Sequence, residues 1–336
     1  MRLLSSITPM IRARVFQFLF AFAFVSTAQM TLAAEGVNIT EKEGKLRIEI
    51  GGKFFSEYHF KDVSRPFLYP VLGPGNAGYT RNYPMKQVPG EANDHIHHRS
   101  LWYAHGNING VDFWAEQAHG KTIPGKTVHE KFLEVKSGGD VGVIQSLNKL
   151  VAPDGKVIGT DVRTIRILNR KEDRVLDYDV EIKASHGELV LGDTKEGSMA
   201  IRVAESMRLT QPKGQPAGKG HIVNSEGVRD GLTWGKRAKW VDYHGPVGEQ
   251  TLGIAIFDHP SNPRYPTWWH VRDYGLFAAN PFGLHDFEGD KQNPTKGNLT
   301  VPAGKSVTFK YRFYFHTGDE KAGKVAERHE EYTKSK

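Results

Sequence analysis

The chain contains no cysteine. That absence excludes disulfides, zinc–thiolate sites, thiol nucleophiles and a thioether-linked lipid anchor. Long hydrophobic runs are also scarce. After Glu35 no stretch is apolar enough to span a bilayer, which takes about 20 residues. Two familiar enzyme signatures are missing, the GxSxG nucleophile elbow and the HExxH zinc motif. No carboxylate pair stands out as a glycosidase dyad, although such a pair can come from distant loops. Charge of one sign is not concentrated either. The 45 Lys+Arg and 38 Asp+Glu are interspersed, so the net charge of +7 forms no stripe for nucleic acid.

What is present begins with an address. Arg2, Arg12 and Arg14 make a positive n-region, VFQFLFAFAFV (Val15–Val25) an apolar h-region, and STAQMTLAA ends in small residues before Glu35. That order predicts a secretory signal peptide over residues 1–34, cut after Ala33 or Ala34. An apolar run of about eleven residues is too short for a membrane anchor. The mature chain, residues 35–336, is then expected as one β-sandwich domain in the bacterial periplasm or outside the cell. Its net charge falls to +4 when the three arginines leave.

Period-two alternation dominates from Gly44 onward. KLRIEI (Lys45–Ile50), Gly-Gly and KFFSEYHF (Lys53–Phe60) read as a hairpin. Pro153, Asp154 and Gly155 separate two more alternating runs and suit a tight reversal. Val175–Ala184 and Ser306–His316 alternate as well, the latter with Val307, Phe309, Tyr311, Phe313 and Phe315 on one face. Helix signal is confined to Glu320–Lys334. The class is all-β.

Four polar clusters interrupt the strands. The densest is Asn93–Glu116, where six residues hold Asp94, His95, His97, His98 and Arg99. In an extended segment His95 and His97 would share a face and could hold one divalent metal ion with a third donor. Alternatively one of these imidazoles serves as acid or base, oriented by Asp94. The second cluster places Asp193, Lys195 and Glu196 at a turn before a short strand carrying Arg202 and Glu205. Glu205, at the end of an apolar strand, is a candidate for a raised pKa. The third, Asn224–Gly245, alternates charge with Trp234 and Trp240. The fourth, Phe257–Gly283, brings Trp268, His270 and Arg272 together. His270 and Arg272 would share a face if this run is a strand, and Arg272 could fork onto a carboxylate or vicinal oxygens. Tryptophans beside charged groups suit sugar rings, whose C–H faces stack while their hydroxyls hydrogen-bond. Core packing explains the same tryptophans equally well.

Taken together, DHIHHRSLWYAHGNINGVDFWAE, GDTKEGSMAIRV, NSEGVRDGLTWGKRAKWVDY, GIAIFDHPSNPRYPTWWHVRDYGLFAANPFG and VPAGKSVTFKYRFYFH resemble one exported bacterial family, often labelled "methane oxygenase PmoA". The resemblance runs from about Leu46 to His316. One departure is visible: where the family pattern is D-H-P-H-H-R-G, this chain has Ile96 and Ser100. The resemblance implies a large antiparallel β-sandwich, a supersandwich similar to galactose-mutarotase-like proteins, with a short C-terminal helix. It does not carry over the literal label, since a membrane methane-oxidising subunit needs several transmembrane helices.

These readings point to a secreted carbohydrate-active protein working on a sugar-derived small molecule, by lyase, hydrolase or epimerase chemistry. His95, His97, His98, Glu196 and Glu205 are the catalytic candidates. Arg99, Lys195, Arg202, Trp234, Trp268, His270 and Arg272 are the substrate-binding ones, and His95 with His97 could hold a metal. The rivals are a non-catalytic glycan-binding protein and a metal-dependent oxidase or oxygenase.

Overall fold

A computed structural model describes residues 36–210 and 218–334. Residues 1–34, read above as an export signal, lie outside the described residues. Among these, no helix is long and apolar enough to cross a membrane.

The alternating runs pair into two eight-stranded sheets. In spatial order the first carries Val37–Lys42, Lys45–Ile50, Lys53–His59, Phe67–Val71, Leu101–His105, Gly197–Arg202, Leu276–Asn280 and Trp268–Val271. The second carries His221–Asn224, Trp240–Val247, Gln250–Asp258, Ser306–Thr317, Arg174–Lys183, Val157–Leu168, Val141–Val151 and Lys126–Lys136. All their ladders are antiparallel. The expected all-β class and antiparallel sandwich are what the chain forms. The hairpins at Gly51-Gly52 and at Pro153–Gly155 fall where the turn residues require.

The apolar sides of both sheets share one core. Ile48, Tyr58, Leu101, Met199 and Ile201 of the first sheet meet Ile165, Tyr178, Ile254, Phe313 and Phe315 of the second, all fully buried. Each such side chain contributes about 1.5–3 kcal/mol relative to exposure. The Tyr58 hydroxyl and Ser146 Oγ, 3.0 Å apart, satisfy each other across that core. The C-terminal helix spans Val325–Lys334, shorter than the predicted Glu320–Lys334, with Lys324 at φ +52° just before it. Its Val325 and Tyr332 cover Trp240, Phe257 and Tyr314 on the outer side of the second sheet.

The run Trp268–Asn280 is not one strand but a hairpin, turning at Arg272–Gly275. Asp94–His98 is not extended either. A turn closes there through His98 N–H to His95 O at 2.9 Å, and His95 adopts φ +47°. Two stretches match phosphate-loop patterns by letter, Gly73–Gly78 (GxGxxG) and Gly120–Thr127 (GxxxxGKT). Neither leads into the helix N-terminus that such loops need: Lys126 opens a strand, and Gly78 sits in an isolated bridge.

Candidate functional site

The site is built on the outer side of the first sheet. Period two sends Met199, Ile201, Trp269, Phe277 and Ala279 into the core, and their neighbours outward. Register then aligns Trp102, Ala200, Ala278 and His270 in one row across four strands. The two alanines leave room above the sheet. Three segments rise around that space: residues 95–98 with 112–119, Lys195–Glu196, and the hairpin turn carrying Arg272 and Tyr274. They enclose a cleft of about 420 Å³.

The histidine turn is held from below. Arg81, fully buried, donates to Asp94 Oδ1 at 2.5 Å and to the Asp94 and His95 carbonyls at 3.0 and 3.2 Å. These bonds stabilise the left-handed conformation of His95, uncommon outside glycine. Nearby Ser100 has a similar cost. Ser100 takes φ +58°, where glycine would be unstrained, and its hydroxyl donates to Thr80 Oγ1 at 2.9 Å. The turn draws the three imidazoles together. His95 stacks on His98 with ring centroids 4.7 Å apart and on Tyr274 at 5.1 Å, while His97 meets His98 edge-on at 4.5 Å.

Hydrogen bonding assigns the ring nitrogens. His95 Nδ1 lies 3.2 Å from Asp94 Oδ1. That carboxylate accepts, so Nδ1 carries the proton and Nε2 is left free. Burial works to raise the Asp94 pKa, but the bonds from His95, Arg202 and Arg81 outweigh it and hold the carboxyl well below its usual range. His98 is the reverse case. Arg202 donates to its Nδ1 at 3.0 Å, which makes Nε2 the N–H. Burial, with Arg202 beside it, keeps His98 neutral. His97 is neutral as well, pushed down to about 3 by burial and by Arg65.

The second wall hangs from the sheet. Asn280 Nδ2 donates to the Thr194 and Lys195 carbonyls at 3.0 and 2.9 Å, and His270 Nδ1 donates to the Lys195 carbonyl at 2.5 Å. His270 therefore keeps a bare Nε2, and burial holds its pKa down at about 3. Gly106 lets this turn approach closely: its N–H reaches Glu196 O at 2.7 Å, and a Cβ there would stand 2.8 Å from Glu196 Cβ. Lys195 and Glu196 pair at 3.3 Å, both partly exposed. Arg272 lies over the Tyr274 ring at 5.4 Å.

Of the candidate residues, His95, His97, His98, Lys195, Glu196, His270 and Arg272 line the cleft. Arg202 and Arg99 act from behind it. Arg202 holds Asp94 and His98, while Arg99 grips Glu116 through three contacts of 2.7–2.8 Å. Three other candidates lie outside the lining. Glu205 sits in a short helical turn beyond its strand, paired with Arg208 at 2.5 Å and outside the lining. Trp268 is buried beneath the Arg237 guanidinium at 4.4 Å. Trp234 packs edge-on against Phe287 at 5.3 Å. The ring surfaces lining the cleft are instead Trp114 and Tyr274, and Asp112 and Glu116 are its further carboxylates. Trp114 and Glu116 lie in the same dense stretch as the histidines, a signal that could have found them. Tyr274 carries no such mark.

For metal binding, neither His95 nor His97 belongs to a set of three carboxylate or imidazole donors close enough to surround an ion. Among the described residues that description fits Asp242, His244 and Glu320, anchored on the second sheet. There the Asp242 carboxylate already bonds His244 Nδ1 and His316 Nε2, each at 2.7 Å.

The architecture is thus a two-sheet antiparallel β-sandwich that carries a polar, imidazole-rich cleft on the outside of one sheet. The chain belongs to the family of unknown function DUF6807, whose model matches residues 45–330. No curated protein matches the chain. Among solved structures it is similar to a galactose mutarotase-like protein from Lactobacillus casei, at 9% identity and TM-score 0.36, covering 84% of this chain and 100% of that one. It is also similar to a putative aldose 1-epimerase from Escherichia coli K12, at 10% identity and TM-score 0.31, covering 84% and 99%.

Proposed function

We propose that the cleft binds a sugar-derived small molecule and acts on it by proton transfer, with His95 as the acid–base group. The observation that carries this reading is the convergence of segments far apart in sequence. Residues from 95–98, 112–119, 195–196 and 270–274 meet in one cleft. A core network has no need of such an opening.

The parts suit polyhydroxylated rings. The Tyr274 and Trp114 rings line the cleft, and the polar groups between them can satisfy hydroxyls. His98 Nε2–H is a fixed donor and His270 Nε2 a fixed acceptor, each neutral through burial. His95 differs from both: its side chain is 38% exposed and Asp94 orients it. Those are the properties an acid–base imidazole requires. Lyase, hydrolase and epimerase reactions each need one group to take a proton and another to return it. Glu196, paired with Lys195 and partly exposed, is a carboxylate of the same lining that could share this work. The reading places the protein outside the cytoplasm, because residues 1–34 have the order of an export signal.

A panel of mono- and oligosaccharides, followed for product by chromatography, tests the proposal. On a turned-over sugar, His95→Asn should lower kcat about 100-fold or more while changing Kd no more than about threefold. Equal loss of both, or of neither, removes His95 from the chemistry. Binding without product from any sugar supports the non-catalytic glycan-binding alternative.

A further inference from the structure

The charged groups around the cleft are unevenly matched. Asp94 is held by Arg81 and Arg202, and Glu116 by Arg99 with Arg65 at 3.6 Å. Glu196 pairs with Lys195. Asp112 spends one oxygen on the Trp114 and Ala115 backbone N–H groups, at 2.7 and 3.0 Å, and its other lies 3.7 Å from His119. Each carboxylate of the site thus has its partners within the protein.

Arg272 has none. Among the described residues no carboxylate lies within 4.0 Å of its guanidinium, and no carbonyl accepts from it; the guanidinium lies over the face of Tyr274. It lines the cleft, as does Lys195, and both cations bear on the buried His270 beside them. A guanidinium presents its donors as a planar fork matched to two oxygens of one carboxylate. An arginine left unmatched at the wall of a concave site, over an aromatic face that restricts its plane, is a receptor for such a group.

We propose that the ligand is an acidic sugar, a uronic acid or an oligosaccharide containing one, whose carboxylate is received by Arg272 with Lys195 alongside. This inference rests on the sugar-binding reading above and narrows it to one substrate class. It also gives Lys195 and Glu196 a purpose as a pair. An arriving carboxylate competes with Glu196 for the ammonium group, which would free Glu196 when ligand is bound.

Calorimetric titration of the protein with matched pairs tests the idea: glucuronate against glucose, galacturonate against galactose, and a di- or trisaccharide of each kind. The expected result is binding of an acidic member at least about tenfold tighter than its neutral counterpart, weakening as salt rises. Arg272→Gln should lower acidic-sugar affinity about tenfold to hundredfold, the weight of a charge-assisted bidentate contact, and lower any neutral-sugar affinity by no more than about threefold. Arg272→Lys, which keeps the charge and loses the fork, should fall between the two. Thermal unfolding of both variants must match the parent, and if Arg272→Gln fails that check the Lys variant alone decides. Equal binding of neutral and acidic members, or acidic binding indifferent to both substitutions, overturns the inference while leaving the sugar reading intact. Binding of no member of any pair overturns both.

Discussion

Arg202 holds His98 and Asp94 at once, donating to His98 Nδ1 and to Asp94 Oδ1, each at 3.0 Å. Because a guanidinium can only donate, this contact dictates the His98 tautomer. Because Asp94 in turn orients His95, one buried side chain on the sheet sets the protonation pattern of two imidazoles in the cleft. Burial pushes the Arg202 pKa down to about 10, still charged at any physiological pH.

Replacing Arg202 by Met should therefore disturb stability and site together. The buried acceptor on His98 loses its donor and Asp94 loses one of two arginines, a cost of about 1–3 kcal/mol in urea denaturation. An unchanged midpoint would mean the contact is incidental.

Acid should destabilise the fold through its buried imidazoles. Burial holds His97 and His270 down at about 3, His105 at about 4 and His98 well below 6.5. Unfolded, each would titrate near 6.5, so between that pH and about 4 the unfolded chain binds more protons. Stability from these groups is complete above pH 6.5 and is lost as pH falls, by about 1.4 kcal/mol per pH unit for each proton taken up. His244 works in the opposite sense. Burial opposes its charge, but Asp242 and Glu320 raise its pKa, so its contribution is present below 6.5 and lost as pH rises through the folded value. Denaturation midpoints measured from pH 7.5 to 4 should drop with a slope of two protons or more; a flat profile contradicts the buried neutral assignment.

Aromatic substitutions separate wall from core. Tyr274→Ala should weaken sugar affinity about tenfold, since this ring lines the cleft. Trp268→Ala should cost about 3–5 kcal/mol of stability and leave affinity within about twofold. The reverse outcome would restore Trp268 as a stacking platform and move the site.

Glu116 braces the loop that carries Trp114. Its carboxylate is nearly buried between Arg99 and Arg65, and despite that burial the two arginines hold its pKa below the usual range. Glu116→Ala leaves Arg65, 1% exposed, without its counter-ion. The expected loss is about 3 kcal/mol, read from a chemical denaturation curve; a loss under about 1 kcal/mol would show the pair to be dispensable.

How much of this was legible in the sequence follows from range. Strand alternation is local, and runs such as Lys45–Ile50 and Ser306–Thr317 declare their buried faces outright. The histidine cluster was legible through density, as was the Lys195–Glu196 turn. What sequence could not carry is which side of a strand faces a cleft rather than a core. Trp268 and His270 point the same way, yet one is capped by Arg237 and the other opens onto the cleft. Glu205 misled for a related reason: the apolar strand ends at Arg202, and the chain turns before the carboxylate is reached. Arg81, which holds the His95 turn, is linked to it only through folding.

The most direct test is diffraction from crystals soaked with the tightest-binding sugar. The ring should lie against Tyr274 with a hydroxyl or glycosidic oxygen within hydrogen-bond distance of His95 Nε2. Density for the sugar at any other surface, with the cleft filled by water alone, would contradict the account.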